Sequence, residues 1–137
     1  MKVLHSADWH LGTFRSPVKD GVNLRTEDTK RCLDELIRAA KEEHPDFSLI
    51  SGDVFHVGHL WSDRCCSEIV TAIHYIRELS TVSGQVVVMR GTPNHDGIGQ
   101  FNVLAEMFAN SPNVHIITAP QVISFEDTDI AVLPGFD

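Results

Sequence analysis

Phe47-Ser48-Leu49-Ile50-Ser51-Gly52-Asp53 is a short apolar run closed by a glycine and a carboxylate. The run suits a buried strand over Phe47–Ser51. On its N-terminal side, Leu33, Leu36, Ile37 and Ala40 recur at 3.6-residue spacing and form one apolar helical face. Thr26 can cap that helix, and Pro45 ends it. On the other side, Gly52–Trp61 reads as a loop, followed by a helix from Asp63 to about Ser80 with Ile69, Ile73, Ile76 and Leu79 turned inward. Lys2–Ser6 and Val86–Met89 read as strands before and after these helices. The front of the chain is therefore β-α-β-α-β, which predicts an α/β fold with parallel strands joined by helical crossovers.

Between the first strand and the first helix, Asp8–Arg25 reads as a long loop containing Gly12, Pro17 and Gly21. Gly91–Gly99 is a further loop, leading into a helix over Phe101–Ala109. Val114–Ile117, Val122–Phe125 and Ile130–Leu133 are short strands of more antiparallel character, the last two a hairpin around Asp127-Thr128-Asp129. No repeat, low-complexity tract or linker divides residues 1–137, so one domain is expected.

Composition narrows the class. Apolar residues make up 42% and charged residues 22%, as in an ordinary soluble domain. No apolar run approaches the ~20 residues of a membrane span, and Val3-Leu4 is too short for a signal-peptide core. The expectation is a cytoplasmic protein without a membrane partner. Cys32, Cys65 and Cys66 offer no C-x-x-C spacing and read as small helix residues in a reducing compartment. The net charge of −8 argues against a broadly basic nucleic-acid surface. One stretch opposes that balance: Arg15, Lys19, Arg25, Lys30 and Arg31 outnumber Asp20, Glu27 and Asp28. A solvated segment and a phosphate-binding one explain it equally well.

The chemistry collects after the first three strands. Asp8 and His10 follow the first, Gly52 and Asp53 the second, and Gly91, Asn94, His95 and Asp96 the third. Sites of open α/β sheets form at the carboxyl ends of strands. Asp8 and His10, two apart in extended chain, would share one face while Trp9 packs on the other. Carboxylate, imidazole and amide together suit Mn, Fe or Zn better than Ca or Mg alone. Gly52 and Gly91 allow sharp turns or close approach. Among the other histidines, His5 reads as a hydrogen-bonded core residue, His115 as structural, and His44 and His74 as helix-surface residues. His56 and His59 follow Asp53 and are candidates for substrate or outer-shell contact, as is Asp96.

These residues resemble a known pattern. Asp8-x-His10, Gly52-Asp53 and Asn94-His95-Asp96 look like the first three motifs of the calcineurin-like metallophosphoesterases, whose fold is an αββα sandwich, here incomplete. Leu4-His5-Ser6-Ala7-Asp8-Trp9-His10-Leu11-Gly12 and Gly52-Asp53-Val54-Phe55-His56 resemble the SbcD-type exonucleases, nuclease subunits that act on DNA ends in double-strand-break repair. The resemblance implies that Asp8 and His10 bind a first metal, Asp53 bridges two, and Asn94 binds the second. It casts His95 as acid or charge stabiliser beside the scissile phosphate. It also implies Mn2+ as cofactor, DNA as substrate, an SMC-like ATPase (SbcC-type) as partner and a homodimer. Two divalent ions about 3.5–4 Å apart are suited to activating water and polarising a phosphodiester.

Two departures shape the expectations. The third motif usually reads Gly-Asn-His-Asp; here Thr92 and Pro93 are inserted, which predicts a bulged loop still delivering Asn94 and His95. The family completes its site with a further His and a His-x-His pair, whereas only His115 follows His95 here. The expectation is the N-terminal part of a phosphoesterase domain, inactive by itself, with at most one weak Mn2+ site and an exposed apolar face. A phosphoesterase of small phosphoesters, or a non-catalytic binding module, remains an alternative.

Overall fold

A computed structural model describes residues 1–58 and 63–135, the side chains at 63–65 apart. His59 and Cys65 therefore fall outside what is described. The elements are β1 (Val3–Ser6), β2 (Val18–Lys19), β3 (Val22–Asn23), α1 (Leu24–Glu43), β4 (Phe47–Ser51), α2 (Asp63–Val82), β5 (Gln85–Met89), α3 (Ile98–Met107), β6 (Val114–Ile117), β7 (Gln121–Phe125) and β8 (Thr128–Val132). The central sheet has four parallel strands in the order β1-β4-β5-β6. The fold is α/β, as the strand–helix alternation predicts.

Each crossover moves one strand further in the same direction. Right-handed connections then place α1, α2 and α3 on one face of the sheet. Leu33, Ile37 and Ala40 of α1 meet Ile76 and Leu79 of α2, Phe101 and Leu104 of α3, and Ile50, Val86 and Val88 of the sheet. Ile73 is only half-buried at the margin, while Ala72 and Tyr75 are buried in its stead. The other sheet face presents Leu49, Val87, Met89 and Ile117, which the β7–β8 hairpin covers with Ile123, Ile130 and Val132. Val122 and Leu133 of this hairpin region stay exposed, and so does Val3 on the edge strand β1.

Several expectations need correction. The loop from Asp8 to Arg25 contains a β2–β3 hairpin whose turn residues Asp20 and Gly21 both have positive φ. An aspartate–glycine pair is suited to that two-residue turn. Asn23, not Thr26, caps α1: its Oδ1 accepts from the Arg25 and Thr26 N–H groups at 3.1 and 3.2 Å. β6 is parallel to β5, because α3 carries the chain across the helix face as the earlier helices do. α3 begins at Ile98, earlier than Phe101, because the Gln100 side chain accepts the Gly97 N–H at 2.8 Å and holds the first turn. The β7–β8 turn is Glu126-Asp127, one residue earlier than expected. His5 bonds Ser51 Oγ at 2.8 Å but is exposed, lying on the thinly covered side of β1.

Candidate metal centre

The loops after β1 and β4 run together and continue the parallel pairing. Asp8 N–H donates to Gly52 O at 3.1 Å, His10 N–H to Asp53 O at 3.0 Å, and Leu11 N–H to Val54 O at 2.8 Å. His56 N–H closes the series on Leu11 O at 3.0 Å. The segment is not extended: Asp8 and His10 hold φ of 56° and 46°, and Asp53 holds 50°. Trp9 still turns inward, 5% exposed, with its indole N–H on Ser6 Oγ. The left-handed turns, rather than strand alternation, bring Asp8 and His10 together.

Ligand atoms of Asp8, His10 and Asp53 all lie within 4.8 Å of one another. Asp53 is positioned from the loop that follows β5. Thr92, one of the two inserted residues, donates to Asp53 Oδ1 through its N–H at 2.8 Å and its hydroxyl at 3.0 Å. Oδ2 carries no hydrogen bond among the described residues. Two glycines permit the geometry. Gly52 has φ +90°, and a Cβ on Gly91 would collide with the Asp53 backbone N and Oδ1.

The inserted loop folds as a turn, with His95 and Asp96 N–H groups on Thr92 O at 3.0 and 2.8 Å. It delivers His95 to the site: ligand nitrogens of His10, His56 and His95 lie within 4.8 Å of one another. The His10 and His95 rings meet edge to face at 4.6 Å. His95 Nδ1 is 2.7 Å from His56 O, and a carbonyl only accepts, so Nδ1 carries the proton. Asn94 shares the loop and its carbonyl accepts the Gly58 N–H at 3.0 Å. Its side chain is exposed and makes no hydrogen bond among the described residues.

Asp96 is a structural clamp beneath the site. It is fully buried, and its carboxylate accepts from Phe55 N–H at 2.9 Å and Gly91 N–H at 2.7 Å. Burial pushes its pKa up, against the pull of these backbone donors. Burial lowers the His56 pKa, helped by His10, His95 and Arg25 nearby. The Phe14 ring lies tilted against the His56 ring at 4.2 Å, and the Arg25 guanidinium sits 4.2 Å over Phe14. Of the other basic residues, Lys30 pairs with Glu27 and Arg31 with Asp28.

The donor set fits a divalent cation. It combines two carboxylates with an imidazole, and the Nδ1 atoms of His10 and His56 are buried without a hydrogen-bond partner among the described residues. Buried polar atoms left unpaired are uncommon and point to an unmade interaction. Among the described residues, no helix is long and apolar enough to cross a membrane. A sequence model of the calcineurin-like phosphoesterases matches residues 1–135. With carboxylate and imidazole ligands gathered at the carboxyl edge of a parallel sheet, the chain belongs to the calcineurin-like phosphoesterase family, metal-dependent hydrolases of phosphoesters.

Proposed function

We propose that this chain carries the first three ligand loops of a two-metal phosphodiesterase acting on DNA, of the SbcD exonuclease type. The convergence of Asp8, His10 and Asp53 within 4.8 Å is the observation that carries this reading. In it, Asp8, His10 and Asp53, with Asn94, would hold the divalent ions, which would be Mn2+. Bound divalent ions supply an activated water and polarise the phosphoester.

The chain's own residues do the rest. Thr92 fixes the Asp53 carboxylate and leaves Oδ2 for ligation. His95, tethered through Nδ1, keeps Nε2 for proton exchange with the leaving oxygen, a task to which an imidazole is suited. Arg25 on its Phe14 platform adds a cation beside the imidazoles, where a DNA phosphate could be positioned. Arg15 and Lys19, which form no ion pair among the described residues, extend that charge. The likeness of the Leu4–Gly12 string to the DNA-processing branch supports the same substrate, with an SMC-like ATPase as partner and a homodimer as the assembled form.

The test uses an intact enzyme carrying this chain. Mn2+-dependent cleavage of a linear duplex should exceed hydrolysis of nitrophenyl phosphate, and Asp53→Asn should abolish both. Arg25→Ala should slow only the duplex reaction. Equal loss on both substrates, or preference for nitrophenyl phosphate, would favour a phosphatase of small phosphoesters.

A further inference from the structure

The carboxylate-rich group leaves His56 unused, yet His56 belongs to a second cluster. We propose that His10, His56 and His95 form an all-imidazole cation site that takes Zn2+ in preference to Mn2+ and competes with the Asp8–His10–Asp53 group through the shared His10.

Three observations carry this. The ligand nitrogens of the three rings lie within 4.8 Å of one another. Three nitrogens bound at about 2.0–2.1 Å to one tetrahedral zinc stand about 3.4 Å apart, so the rings need to close by up to about 1.4 Å in mutual separation. Next, the Nδ1 atoms of His10 and His56 are buried and unpartnered among the described residues, a cost that a cation would remove. Finally, His95 donates its Nδ1–H to His56 O at 2.7 Å, which leaves the lone pair on Nε2. A ligand histidine that gives its other N–H to a backbone carbonyl is the usual arrangement around zinc.

Donor type decides the preference. Imidazole suits Zn2+, whereas carboxylate and carbonyl oxygens suit Mn2+. Three histidines with a remaining open position match the three-ligand zinc geometry. A Zn2+ ion held there would engage the His95 Nε2 lone pair, so that atom would be withdrawn from the proton exchange of the proposed reaction. The competition rests on the functional reading above; the three-imidazole site itself does not.

Calorimetric titration of this chain with Zn2+ and with Mn2+ separates the two. Losing even an outer partner of a metal ligand costs about 10–100-fold in affinity. His56→Gln should therefore weaken Zn2+ by at least about tenfold and leave Mn2+ unchanged. Asp53→Asn should do the reverse. Co2+ in place of Zn2+ should give the visible absorption of a nitrogen-ligated tetrahedral ion in the wild type and lose it in His56→Gln. If His56→Gln fails to fold, His95→Gln carries the same expectation. Zn2+ affinity unchanged in these variants, or Zn2+ and Mn2+ binding additively, would overturn the proposal. Mn2+ affinity unchanged by Asp53→Asn would instead overturn the carboxylate site.

Discussion

The two edges of the parallel sheet are built from similar residues under opposite rules. At the amino edge, Lys2 N–H meets Asp46 Oδ2 at 2.6 Å and Lys2 Nζ meets Glu43 at 2.9 Å, all exposed to solvent. Lys2 holds the Glu43 carboxyl below its usual range. Left-handed residues there serve chain reversals: His44 at φ 46° ends α1 and donates its N–H to Ala40 O, and Glu126 at φ 47° sits in the β7–β8 turn. At the carboxyl edge a carboxylate is fully buried, two ring nitrogens lack partners, and Asp8, His10 and Asp53 are all left-handed. Such backbone costs roughly 1–3 kcal/mol per residue and persists where the surroundings over-determine it. At one edge strain serves chain reversals. At the other it aims ligands.

Substituting the carboxyl edge should therefore damage chemistry most. His95→Ala in an intact enzyme is expected to lower kcat by about 10²–10⁴, the usual size of acid–base help. Its Mn2+ affinity should persist, since His95 is absent from the Asp8–His10–Asp53 group. Loss of Mn2+ in a titration would make His95 a ligand of that site. The next largest effect is on folding. Asp96→Ala strands the buried Phe55 N–H and the half-buried Gly91 N–H, at about 1–3 kcal/mol for a buried unsatisfied donor. Asp46→Ala at the amino edge, where the carboxylate is exposed, should cost under about 1 kcal/mol. Chemical denaturation of both variants compares the edges directly, and equal losses would end the distinction.

Glycine exchange sharpens the contrast at a smaller scale. Glycine relieves positive φ but loses more entropy on folding, so the net gain is on the order of 0.5–1 kcal/mol. In metal-free protein, His44→Gly and Asp8→Gly should each raise the melting temperature. Only Asp8→Gly should also lose Mn2+. A fall in melting temperature for Asp8→Gly would mean that its backbone is not strained.

What could be read from the sequence follows from which interactions are local. Phe47–Ser51 and Val114–Ile117 form strands with the expected limits, since short apolar runs between turn signals leave little choice. Asp20-Gly21 between Val18 and Val22 was a usable hairpin signal inside a segment read as loop. Asn23 was a cap as good as Thr26, overlooked because the apolar period becomes clear only at Leu33. At the site, loop position after consecutive strands is enough to put Asp8, His10 and Asp53 at one edge of the sheet. The left-handed backbone, the grip of Thr92 on Asp53 and the Arg25–Phe14–His56 contacts are tertiary, and no residue spacing announces them.

The smallest expected effect lies away from both edges, at His115 on the hairpin side of β6. Its Nε2 is 2.8 Å from Gln85 Oε1, and its ring meets Phe125 at 5.1 Å. Burial lowers its pKa below the ordinary value near ~6.5. The folded state thus binds the proton less readily than the unfolded chain, and stability rises with pH across that interval. Its contribution is fully present above the unfolded pKa and is lost as pH falls from there through the folded one. His56 shifts in the same direction, so the pH dependence of the wild type alone cannot assign the effect. His115→Gln removes one titrating group and leaves the other. Melting curves of the two proteins between pH 7.5 and 5 should show the wild type losing stability faster on acidification, and parallel curves would place the proton uptake elsewhere.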